Sequence, residues 1–188
     1  MTAVAVRSVV PDAQALVLLF DTLFAVSEQT CLRGGADEPL YTPPAPGRSA
    51  IVAFRADYVA SALHEVAHWC IAGPARRRRV DYGYWYQPDG RDADAQRRFM
   101  AVEARPQALE WLFSLACGLS FRPSFDNIDA PPPEAVQAAF SAAIVREARR
   151  LRERGLPRRA ACFRDALAAH YRPGQSLAGL DLRAPGRG

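Results

Sequence analysis

Lysine is missing from this 188-residue chain: all 24 of its basic side chains are arginine, set against 20 acidic ones. The bias is compositional, and a net charge of +4 is too mild to argue for nucleic acid, which needs a basic face rather than a basic total. Arginine gathers in two places, Arg76–Arg79 and the cluster between Arg146 and Arg159, and the second reads as a solvated helix face. Long apolar runs are missing too. The longest early one, Ala15–Phe20, is closed by Asp12 and Asp21 and is too short for a signal-peptide core or a membrane span, so a cytoplasmic location with no membrane partner is expected. Cysteine is scarce and scattered: Cys31, Cys70, Cys117 and Cys162 form no CxxC pair and read as free, mostly buried thiols in a reducing compartment. Histidine is scarcer still, with three residues in all.

What is present is the composition of one soluble globular domain, 49% apolar and 23% charged, expected to span residues 1–188 with 1–11 and 172–188 as flexible termini. A chain of this size buries about 70% of the surface exposed by its unfolded form. It can therefore fold without a disulfide or a metal, and any metal site it carries is to be suspected of chemistry.

Apolar residues at spacings of three and four predict a helix from Ala13 to about Val26, capped by Asp12, with Gly34 and Gly35 ending that unit. A proline-rich stretch follows, with room for a short edge strand at Leu40–Thr42. Ile51–Phe54 reads as a strand, and Asp57 as the cap of a helix reaching Ile71, which Gly73 and Pro74 stop. The aromatic stretch Val80–Tyr86 favours extended structure and ends in the turn signal Pro88, Asp89, Gly90. A long helix is expected from Asp92 or Asp94 to Cys117, kinked or restarted at Pro106, with Gly118 closing it. Two more helices are expected at Glu134–Arg154 and Arg158–Tyr171, after a loop over Phe121–Pro133. Helices with a few short strands indicate a single α+β domain, its helices packed on a small mixed sheet.

The one sharp motif is His64, Glu65, Val66, Ala67, His68, an HExxH in the middle of a predicted helix. Residues at i and i+4 lie one above the other, so both imidazoles can reach one ion while the helix holds their separation. Two imidazoles leave a site unfinished. Glu103 on the next long helix is the candidate third ligand, with Glu110 and Asp81 as competitors, and His170 is read as a surface or core residue. Such a set supports two chemistries. With zinc, an open position holds water, Glu65 acts as general base and a peptide or RNA is hydrolysed. With Fe(II), two histidines and a carboxylate leave positions for dioxygen, and the outcome is oxidative. HExxH alone favours the protease, but the motif chemistry does not settle the metal.

The sequence around this motif resembles the bacterial elongation factor P hydroxylase family. The matching residues run in order: Asp37, Glu38, Pro39 and Tyr41, then Tyr58, Ala60, Ser61 and Ala62 before the HExxH, then Trp69 through Gly73 and Ala75 through Arg77. They continue with Val80, Asp81, Gly83 through Tyr86, Pro88 through Asp92, Val102, Glu103, Pro106 through Leu109, Trp111 through Phe113, and Asp126 with Asn127. The resemblance covers Gly34 to Asn127 and leaves only a compatible helical layout outside it. It implies a non-haem metal hydroxylase, with iron held by His64, His68 and Glu103 and no oxoglutarate clamp. The implied fold resembles a small metal-dependent ribonuclease rather than a jelly roll. The implied substrate and partner is elongation factor P, whose lysine already carries a β-lysyl group and gains a hydroxyl. No nucleic acid is implied as a direct substrate.

A long cationic side chain calls for an aromatic groove with carboxylates at its end, and Asp81, Tyr84, Trp85, Tyr86, Asp89 and Asp92 are the candidate substrate-binding residues. Alternate members of such a strand would face a core instead. Glu65 is the candidate catalytic side chain; in an oxidative reaction it need not be a base and can orient a ligand, relay a proton or hold an ammonium group. Arg76–Arg79 offers electrostatic docking for an acidic partner, or a plain solvated run.

Overall fold

The computed structural model describes residues 10–81, 92–126, 132–177, 182 and 185, and over these the chain is a single α+β domain. Helix α1 (Ala13–Phe24) starts where the Asp12 carboxylate accepts the Ala15 N–H at 2.9 Å. It buries Leu16, Phe20 and Phe24, four residues apart on one face.

The two glycines that were expected to end this unit belong instead to a strand, β1 (Thr30–Ala36). Thr30 and Leu32 point into the core, and Leu32 N–H donates to the Asp21 carboxylate at 2.8 Å, stitching the strand to α1. Gly34 is required by close approach, because a Cβ there would lie 2.8 Å from Phe54 Cζ and 2.9 Å from Asp57 Oδ1. Gly35 takes φ 82° where the pairing register shifts between Arg33 and Ala36, a conformation that costs glycine little. β1 runs parallel to β3 (Ala50–Arg55), and β2 (Leu40–Thr42) runs antiparallel to β3, giving the order β1-β3-β2. Along β3, Ala50, Val52 and Phe54 are buried while Ile51 and Arg55 are exposed, the alternation of a sheet with one covered face.

Helix α2 (Val59–Ile71) packs on β3. Asp57 does not cap it: Tyr58 occupies that position without a side-chain bond, and the Ser61 hydroxyl accepts Arg55 N–H at 3.0 Å, tying the first turn to the end of β3. Helix α3 (Ala93–Cys117) is one continuous helix, capped by Asp92 and closed by Gly118 at φ 75°. Of the two expectations for Pro106, the restart is excluded, since the helix runs through it without a break. From Pro106 to Ser114 every residue is buried, since α3 packs against α2, α4 (Glu134–Arg154) and α5 (Arg158–Tyr171), and this packing outweighs the backbone bond that proline removes. Rings from four helices meet in the core: Phe20 lies 5.0 Å from Trp69, and Phe113 lies 5.1 Å from Phe163. Each such ring contributes about 1.5–3 kcal/mol by leaving water. Leu182, beyond α5, is also buried, and its carbonyl accepts from Arg149 at 3.3 Å. All four cysteines are free, with Cys70 and Cys117 buried and Cys162 exposed.

Candidate metal centre

α2 buries Leu63, Val66, Ala67 and Cys70, and this anchors the helix so that His64 and His68 rise one turn apart toward α3. Their Nε2 atoms face each other at 3.0 Å. Glu103 closes a triangle: Oε2 is 3.5 Å from His64 Nε2, and Oε1 is 3.3 Å from His68 Nε2. Ligand bonds of ~2.1 Å to a common ion require donor separations of about 3.0 Å in octahedral and about 3.4 Å in tetrahedral geometry. The triangle therefore fits a divalent metal. The buried Glu103 Oε2 accepts no hydrogen bond, an orphaned acceptor whose charge a divalent cation would satisfy. Among the described residues, His64, His68 and Glu103 are the group able to hold one.

The charges of the side chains at this centre depend strongly on one another. Burial pushes the Glu103 carboxyl up, but His68 and His64, helped by Gln107, outweigh it and hold the carboxyl down at about 2. Burial pulls His64 down, but the hydrogen bond and charge of Glu110, with the charges of Glu103 and Glu65, raise it to about 10 in the metal-free protein. Burial pushes the Glu65 carboxyl up, against the pull of both imidazoles.

α3 carries a buried polar stripe: Gln96, Glu103, Gln107, Glu110 and Ser114 are all under 9% exposed. The spacing keeps them on one side of the helix. Gln107 both donates to the Ser124 carbonyl at 2.8 Å and accepts its N–H at 3.0 Å, and Gln96 donates to the Phe125 carbonyl at 3.0 Å, so the stripe also pins the segment after α3. Sequence reasoning missed these glutamines, although a run of polar residues at helical spacing amid apolar ones was a signal for them.

Of the two competitors for the third ligand, neither joins the triangle. Glu110 contacts the other edge of the His64 ring, with Oε2 at 2.8 Å from Nδ1. Asp81 pairs through its carboxylate with Arg76 and through its backbone with Tyr41. It does line a small cleft with Glu65, His68, Tyr41, Trp69, Arg76 and Arg77. Asp92 spends one carboxylate oxygen capping α3, accepting Ala95 N–H at 2.7 Å. Tyr84, Trp85, Tyr86 and Asp89 lie outside the described residues. His170 is exposed on α5. The arginine run divides: Arg76 and Arg77 are held by Asp81 and Glu28, while Arg78 and Arg79 are exposed.

The far end of α2 is fastened by α5. Arg159 donates to the carbonyls of Trp69, Cys70 and Ala72, and Glu28 gathers Arg77, Arg158 and Arg159 around one carboxylate. No helix among the described residues is long and apolar enough to cross a membrane.

The chain is 40% identical over 159 residues, 83% of its own length and 87% of the relative's, to the elongation factor P lysine hydroxylase of Haemophilus influenzae. The profile of the elongation factor P hydroxylase family matches residues 19–179, which takes in α4 and α5, where the sequence alone showed only a compatible layout. The chain belongs to the elongation factor P hydroxylase family.

Proposed function

We propose that this protein is an iron-dependent hydroxylase acting on the β-lysylated lysine of translation elongation factor P, with the metal held by His64, His68 and Glu103. Membership in a hydroxylase family makes it an enzyme of the oxidoreductase type. The observation that carries the reading is the donor triangle, whose edges run from 3.0 to 3.5 Å, in a chain of this family. His64, His68 and Glu103 would hold Fe(II), which would supply the activation of dioxygen that hydroxylation of a carbon requires.

The chain's own residues do the rest. Glu103 is held anionic and so is ready to ligate without first losing a proton. The cleft beside His68 is lined by Val52, Trp69 and the Glu65 carboxylate, with Asp81 and its partner Arg76 at the rim, and Glu65 is the carboxylate there that is offered to the substrate's ammonium group. In this reading Glu65, which lines the cleft beside His68, is the catalytic side chain, and it orients the substrate's polar end. Asp81, Tyr84, Trp85, Tyr86, Asp89 and Asp92 are the residues proposed to contact the substrate. The reaction takes place in the cytoplasm, without oxoglutarate and without nucleic acid or membrane as a partner.

Metal analysis of protein purified without oxygen tests this reading. Iron at about one ion per chain is expected, and its loss in His64→Ala and Glu103→Ala. Zinc in its place, with peptide or RNA cleavage abolished by Glu65→Gln, would replace hydroxylation with hydrolysis.

A further inference from the structure

We propose that Glu110 is the positioning residue of the metal centre: its carboxylate fixes the His64 ring through Nδ1, so that Nε2 presents its lone pair to the ion. The inference rests on the assignment of His64, His68 and Glu103 as ligands.

His64 is bracketed by two carboxylates from α3. Glu103 Oε2 stands 3.5 Å from its Nε2, and Glu110 Oε2 stands 2.8 Å from its Nδ1. Seven residues separate these glutamates, two helical turns, so one rigid helix supplies both the ligand and the group behind the opposite ligand. A neutral imidazole carries one N–H and one lone pair, and an ionised carboxylate can only accept. A carboxylate at Nδ1 therefore selects the tautomer whose proton is on Nδ1 and whose lone pair is on Nε2, and it increases the basicity of that lone pair.

Glu110 has no competing employment. It is 8% exposed, and among the described residues its only ion pair is with His64. A buried carboxylate is costly unless it is paired, so its placement is explained by the ring it holds. It cannot be a ligand in the same arrangement, because it touches the ring edge that points away from the other donors.

The test uses cobalt(II) and zinc(II) as probes, with affinity measured by competition against a chromophoric chelator in wild type, Glu110→Gln, Glu110→Ala and Glu103→Ala. Loss of a partner behind a metal-bound histidine weakens binding by about 10- to 100-fold. Glu110→Ala should fall in that range, Glu110→Gln should lose less because its amide oxygen still accepts, and Glu103→Ala should lose more than either. Wild-type affinity in both Glu110 variants would overturn the positioning role while leaving the metal assignment intact. Failure of the wild type to bind either ion would overturn the metal assignment, and the inference with it. Should a variant not fold, nitrogen NMR of the zinc-loaded wild type decides. His64 protonated at Nδ1 and coordinated at Nε2 is expected, and the reverse tautomer would overturn the proposal.

Discussion

The Arg159 guanidinium sits 4.4 Å from the centre of the Trp69 ring, and the same group donates to the Trp69 and Ala72 carbonyls at 2.8 Å and to the Cys70 carbonyl at 3.2 Å. A residue of α5 thus closes the C-terminus of the helix that carries both histidines, where a cation also complements the helix dipole. Arg159→Ala leaves three carbonyls without a donor and should cost about 2–3 kcal/mol. Arg159→Lys should recover only part of this, because an ammonium lacks the guanidinium's planar fork. Urea unfolding measures both, and an alanine variant with the wild-type midpoint would contradict the assignment.

Gly34 is intolerant of a side chain for a reason that Gly73 does not share. A Cβ at Gly34 would meet Phe54 and Asp57 at under 3 Å, while one at Gly73 meets nothing within 4 Å. Gly34→Ala should destabilise by about 1–3 kcal/mol through overpacking. Gly73→Ala should be close to neutral. Thermal unfolding of the two variants side by side checks this, and equal effects would count against the described seat of β1.

The charges at the centre impose a pH dependence on the metal-free protein. His64 is raised from 6.5 to about 10, so its contribution is complete below pH 6.5 and is lost as pH rises through 10. Glu103 is lowered from 4.5 to about 2, so its contribution is complete above pH 4.5 and is lost as pH falls toward 2. In denaturant titrations of chelator-treated protein, the advantage of wild type over His64→Asn should shrink steadily between pH 6.5 and 10. A constant advantage across that window would show that Glu110 does not hold a charged His64.

Thiol reactivity should follow burial. Cys162 is exposed, whereas Cys70 is buried with its thiol pushed far up by desolvation and Cys117 is buried and pushed up to about 12. Native protein treated with iodoacetamide should be modified first at Cys162 and not at Cys70 or Cys117 until it is unfolded. Peptide mapping reads the order directly.

The features legible in the sequence are those set by neighbours along the chain. The HExxH pair needs only the helical repeat, and the caps Asp12 and Asp92 need only a carboxylate three residues before an N–H. Helices α4 and α5 follow directly from Pro133 and Pro157. Strand β1 was hidden because its apolar alternation is short and its glycines answer to Phe54 and Asp57, distant in sequence. Glu110 reads in the sequence as a competitor for the third ligand, but only coordinates place it on Nδ1 rather than on the Nε2 side of His64. Arg159 was hidden for the same reason, since its carbonyl partners lie 87 to 90 residues away. Asp57 misled, because a good cap residue one position early cannot cap a helix whose first turn is already held by Ser61.

The central claim is oxygen insertion by the His64, His68 and Glu103 centre, and the intact mass of β-lysylated elongation factor P after incubation with the iron-loaded protein tests it most directly. The factor should gain the mass of one oxygen atom, on the modified lysine, with wild type and not with His64→Ala or Glu103→Ala. An unchanged mass with wild type, or full oxygen insertion by either variant, would contradict it.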